Sequence, residues 1–193
     1  MKAMWSARVR RCVKCLLSKI ENLPEEELTR VLAYAGLILV AFELVKGLIV
    51  NPIKLFYSDV IFGDEMPFKS YEEDVLSRHQ NEFEACLLYL RDFMKAIDSE
   101  DLLAIQVLRK HRNDLAHNLV NKLHELEIES YVPMLENANE ALFKLSNCRA
   151  YMEIGADPEF QNKSIDWATL KGNEYILFEA VLNKVRVLQR DVK

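Results

Sequence analysis

The chain has 193 residues, 25 Lys+Arg against 30 Asp+Glu, a formal charge of −5 at pH 7, and half of its residues hydrophobic. It is too apolar for a disordered chain, and its 5 Gly, 5 Pro and 4 Cys are too few for a collagen-like chain, a linker or a disulfide scaffold. The acidic balance argues against a generally basic nucleic-acid coat but allows a local basic site.

Residues about 3–22 are predicted as a first helix, basic throughout, with no acid before Glu21. Its apolar run is interrupted by Lys14, and no small-residue cleavage pattern follows, so it does not read as an export signal. A transit peptide is a weaker alternative. Leu23-Pro24 breaks the chain, and Glu25, Glu26 and Glu27 then suit the positive end of a second helix. That helix is predicted to run to about Val50 and to end before Pro52. It is the most membrane-like stretch, but Glu43 and Lys46 interrupt it, so it is expected to be buried in protein. A cytoplasmic protein with no membrane partner is expected.

A short piece, Ile53 to Phe62, precedes a loop at Gly63–Pro67. Ser70-Tyr71-Glu72-Glu73 has capping-box spacing and opens a helix predicted to reach Ile97. Ser99 is expected to cap the next, to about Glu127, and Ser130 and Pro133 to start another ending near Gly155. Asp157-Pro158 reads as a turn, and a last helix spans about Gly172 to Arg190. The expectation is an all-α single domain over 1–193: a four-helix bundle over about 24–150, a basic helix at 1–23, and a helical extension at 151–193.

The segment Arg109 to Asn118 is the candidate for chemistry. On a helical wheel with Leu108 at zero, Leu115, Leu119, Leu123 and Leu126 fall within about 60° and form the core stripe. Arg112 falls at about 40°, inside that stripe, while Asn113, His117 and His124 line a flanking face at about 140–180°. Ala116, between the two, leaves room for the guanidinium to bend toward His117. An arginine in an apolar stripe must pair or open onto a cleft. Glu43 is the candidate partner, unless it pairs locally with Lys46.

Histidine can act as base or acid near neutral pH, and arginine offers a permanent planar fork for two phosphate oxygens. Asparagine can orient the histidine or donate to a phosphate oxygen. With a ribose 2′-hydroxyl as internal nucleophile, those groups suffice for phosphodiester cleavage. One helix supplies one histidine here, and a two-fold dimer would supply two.

Arg112-Asn113-Asp114-Leu115-Ala116-His117 resembles the R-x4-H motif, with polar Asn second, of the HEPN superfamily of helical ribonucleases. The resemblance implies a HEPN-like bundle and a composite dimer site that cleaves RNA with no metal or cofactor. Arg112 and His117 would be catalytic and Asn113 would assist, with Glu43 in support. It also implies a role as a toxin or antiphage-defence effector, with a cognate antitoxin protein as a possible partner. In one toxin group a tyrosine two places after the histidine is modified by a nucleotidyltransferase antitoxin. Leu119 stands there, so that modification is not expected.

Arg109, Lys110, Arg112 and Lys122 against Asp114 give a local charge of +3, a candidate RNA-binding patch or an ordinary solvated face. Trp5 on the basic first helix could stack on a base. Cys12 and Cys15 lack two further zinc ligands nearby and read as small hydrophobes, so no metal site is expected. His111 is expected to be exposed, and His79 stands in a polar part of its helix. The alternative to a nuclease is a non-catalytic helical module that binds a partner protein or RNA and keeps Arg112 as a structural pair.

Overall fold

The structure is a computed structural model and describes residues 18, 20–59, 67–123, 126–155, 157–160 and 163–190. Most of the basic first helix, with Trp5, Cys12 and Cys15, lies outside the described residues, as do 63–66 of the predicted loop and His124. Pro24 presents its carbonyl to the amide of Leu28 at 3.0 Å and starts a 35-residue helix, α1 (Glu25–Asp59), whose first turn holds the three predicted glutamates. Val31, Tyr34, Ile38, Ala41, Val45 and Leu48 recur every three or four residues and are buried.

The predicted stop before Pro52 is wrong: α1 runs through it. Pro52 cannot donate to the carbonyl of Leu48, at a cost of about 3 kcal/mol. Leu48, Ile49 and Ile53 around it are buried, each gaining roughly 1.5–3 kcal/mol, which outweighs the break.

The predicted helix over 71–97 is also corrected. Ser70 caps as expected, accepting from the amide of Glu73 at 3.1 Å, but α2 (Tyr71–Asp74) is a single turn followed by a 3-10 turn, Leu76–Arg78. The polar run then restarts the chain: Asn81 donates its amide to His79 Nδ1 at 2.9 Å and caps α3 (Glu82–Asp92) by accepting from Glu84 at 3.2 Å. Lys95, with φ of 55°, and the Ala96 amide returning to the Leu90 carbonyl at 2.9 Å close it off.

The next helix, α4 (Ser99–Lys122), is capped by Asp98 rather than Ser99, with Asp101 completing the capping box, and ends short of the predicted Glu127. A 3-10 turn, Ile128–Tyr131, leads to α5 (Val132–Gly155), and α6 (Asn173–Arg190) closes the chain. Helices are the only regular elements among the described residues.

Four helices form a ring: α1 packs on α4 and α6, and α5 packs on the same two from the other side. The short α3 braces α1 and α4. This revises the expected boundary at 150. Tyr175, Phe178, Leu182 and Val185 of α6 are buried in the same core as α1, so the C-terminal segment is a wall of the bundle, not an addition. Where α6 begins, the Gly172 amide donates to buried Ser146 Oγ of α5 at 2.8 Å, and a Cβ on Gly172 would collide with that oxygen. Asn147 beside it bonds the carbonyls of Trp167 and Leu170.

Among the described residues one helix, α1, is long and apolar enough to cross a membrane, and half of its most apolar window is buried inside the protein. The other half leaves Leu32, Leu39 and Val40 exposed.

Candidate functional site

Arg112 stands on α4 where α1 crosses it. Its guanidinium lies over the buried Phe42 ring, 5.4 Å from the centroid. Nη2 donates to Glu43 Oε1 at 3.4 Å, and Nη1 donates to Asn113 Oδ1 at 3.2 Å. Nε is buried with no hydrogen-bond partner among the described residues. The expected Arg112–Glu43 pair is therefore formed, but loosely. The Glu43 side chain is 57% exposed, and an ion pair of that kind contributes about 0–1 kcal/mol. Phe42 is the residue here that sequence reasoning missed. Its only signal is that it precedes Glu43 on a buried stripe.

His117 is exposed on the solvent face of α4, with Ala116 and Asn118 exposed beside it, and no hydrogen bond or ion pair reaches its ring among the described residues. Asn113 is half-buried and already engaged by Arg112. Arg112 and Asn113 are thus brought together with Glu43. His117 follows five residues on, about 7.5 Å along the axis and 140° around it. Leu119 is half-buried and packs against the core.

The basic patch is more committed than the charge count implies. Arg109 is bonded to Glu84 and lies 5.2 Å over the Phe83 ring, while Gln106 holds the other Glu84 oxygen at 2.8 Å. Lys122 bonds Asp114, whose carboxyl is held below its ordinary range first by that lysine and then by Asn118 at 2.8 Å. Lys110 is exposed and makes no ion pair among the described residues. With the loose Arg112–Glu43 pair, three of the four cations are therefore paired within the fold.

The expectation for His111 is overturned. It is buried, with 7% of its surface exposed, 2.7 Å from the Tyr34 hydroxyl through Nε2 and stacked 3.9 Å from the Tyr131 ring. Its wheel position, about 300°, is only 60° from the centre of the core stripe on the side opposite Arg112. Burial, aided by the Lys122 charge, pushes the imidazole down to about 4, and burial raises the Tyr34 phenol. A tyrosine on α1's buried stripe was the available signal, because a buried hydroxyl needs a partner.

Among the described residues no three His, Cys, Asp or Glu side chains are grouped to hold a metal ion. Comparison with known proteins adds no identity: no family model, curated protein or solved structure matches this chain.

Proposed function

We propose that the chain is a cytoplasmic, metal-independent endoribonuclease of HEPN type, built on the HEPN-like bundle, that acts as a homodimer in a toxin or antiphage-defence role. The observation that carries this reading is Arg112, half-buried over Phe42 and weakly held by a mostly exposed Glu43, with Nε left unpaired among the described residues. A phosphodiester can displace Glu43 and take two oxygens into the guanidinium fork.

The chemistry follows from the groups at hand. A base removes the proton of the ribose 2′-hydroxyl, the oxygen attacks phosphorus, and the 5′-oxygen leaves with a proton from the acid. The products are a 2′,3′-cyclic phosphate and a 5′-hydroxyl. His117 takes one proton role, and His117 of the partner subunit takes the other. Arg112 neutralises the phosphorane charge, and Asn113 orients it or the phosphate. Arg112 and His117 diverge around one helix, and two copies facing each other across the motif overcome that divergence. An exposed apolar stripe on α1 supports the dimer. Leu32, Leu39 and Val40 are exposed, Gly36 between them has open space where a side chain would be, and Glu43 continues the same face. We read that face as a dimer contact, not a membrane span. Lys110 is the cation best placed to meet RNA, and Arg109 and Lys122 would have to exchange their carboxylate partners.

Wild type and His117→Ala, compared on a mixed RNA pool in EDTA with end-group analysis, test this reading. Cleavage by the wild type alone, leaving cyclic phosphates, is expected. Equal cleavage by both, or a strict need for divalent metal, removes the site or the mechanism. The second reading, a non-catalytic module binding a protein or RNA, is favoured by the ion pairs already made by Arg109, Arg112 and Lys122. A folded wild type inert toward every RNA offered shifts weight to it.

A further inference from the structure

A cavity of about 350 Å³ lies along the C-terminal part of α1, from Leu48 to Phe56. Its walls are Pro52 and Phe56 of α1, Phe68, Tyr89 of α3, and Leu145 and Met152 of α5. The cavity opens to solvent on one side, and a concave, mostly apolar lining of this kind favours the apolar part of a ligand. The size and the mostly apolar lining, with a few polar groups, are those of a small-molecule site.

The polar groups decide what fits. The charged side chains in the lining are Arg149 and Glu153, one turn apart on α5, and they bond each other at 2.7 Å. Arg149 also bonds Glu174 of α6 at 2.7 Å, so two carboxylates face one guanidinium. Glu174 stands outside the lining, and with it the three groups carry one net negative charge. The Glu153 side chain is 61% exposed, and its carboxylate can accept from a ligand beyond its bond to Arg149. At this mouth the carboxylates outnumber the one guanidinium.

We propose that this cavity is a binding site for a small amphiphile with an apolar body and a cationic amine head. The body fills the space between Phe56, Tyr89 and Leu145, and the ammonium donates to Glu153 at the mouth. An anionic head of the same length meets the excess carboxylate and is rejected. Cys148, a free and half-buried thiol in the same wall, reports occupancy. The site is independent of the ribonuclease reading.

The test titrates octylamine, octan-1-ol and octanoate into the full-length protein by calorimetry, with alkylation of Cys148 followed by mass spectrometry. Octylamine is expected to saturate one site about tenfold more tightly than the alcohol and to slow Cys148 alkylation, with octanoate weakest. Glu153→Gln should bring octylamine down to the level of the alcohol. Met152→Trp, at a partly exposed wall position, should remove binding of all three. No saturable binding, octanoate as tight as octylamine, or binding indifferent to both variants would overturn the proposal. So would Met152→Trp shifting the oligomeric state while none of the amphiphiles binds, because a protein chain would then be the occupant.

Discussion

Two histidines six residues apart on α4 have opposite surroundings. His111 is buried between Tyr34 and Tyr131, hydrogen-bonded and stacked. His117 is exposed, with no hydrogen bond or ion pair to its ring among the described residues. The first has its proton affinity set by the fold and holds α4 in register against α1, one residue before Arg112. The second faces solvent on the other side of the same helix. Sharing one helix, one is committed to the core and the other is left open to solvent.

The comparison breaks most sharply on cleavage. His117→Ala should lower RNA cleavage by about 10²–10⁴-fold while unfolding free energy stays within about 0.5 kcal/mol of wild type. Arg112→Ala should match it in cleavage. An RNA assay beside urea denaturation reads both, and an active His117→Ala would end the proposed role.

Next in size is the buried partner. His111→Ala should cost about 3 kcal/mol, because it opens a cavity beside two rings and strands the Tyr34 hydroxyl. The measurement is the urea midpoint at pH 7. A loss under about 1 kcal/mol would mean that Tyr34 and Tyr131 close over the gap.

A smaller effect concerns protons. With the folded imidazole near 4 and the free one at 6.5, the unfolded chain binds the extra proton between those values. Stability from this group is complete above pH 6.5 and declines as pH falls toward 4. Between pH 7 and 5 the decline should be roughly 2 kcal/mol. The carboxylates titrate too, so wild type is compared with His111→Gln, which should lack this part of the slope. Parallel profiles would show that His111 is not the group responsible.

The smallest effect is expected at Glu43. Glu43→Gln should change stability by less than about 0.5 kcal/mol, as suits a long, exposed pair. A loss of 2 kcal/mol or more would make Arg112–Glu43 a structural strut and favour the non-catalytic reading.

The helical class was legible from the sparse Gly and Pro and the 3–4 spacing of apolar residues, and so were the glutamates at the start of α1. The meeting of Arg112 with Glu43 was legible because a charge inside an apolar stripe demands a partner, and α1 offers one carboxylate in its most apolar stretch. Pro52 misled because local chemistry argues for a stop, while the burial of Leu48, Ile49 and Ile53 that overrides it is tertiary. The break at His79–Asn81 turned on side chains bonding the backbone, which periodicity does not register. The stripe on α6 was visible as a pattern, but a pattern does not say which helix it faces. His111 was misjudged by taking a wheel angle as distance from Leu108 in one direction only. Whether His117 meets a phosphate is a property of a complex, and no single chain encodes it alone.

The contact between Gly172 and Ser146 has a consequence for the integrity of the chain. The stretch from Asp157 to Lys171 joins two walls of the bundle, yet α6 is held by its own buried side chains, by that backbone–hydroxyl bond and by the Asn147 clamp. Those contacts predict that covalent continuity is dispensable once folding is complete. A protein nicked at the exposed Lys163–Ser164 should travel as one particle, and a separately made peptide carrying α6 should restore the fold of a chain truncated after α5. Gly172→Ala on that peptide should weaken the reunion, since the added methyl would drive Ser146 out of the position that receives the strand of backbone leading into the helix.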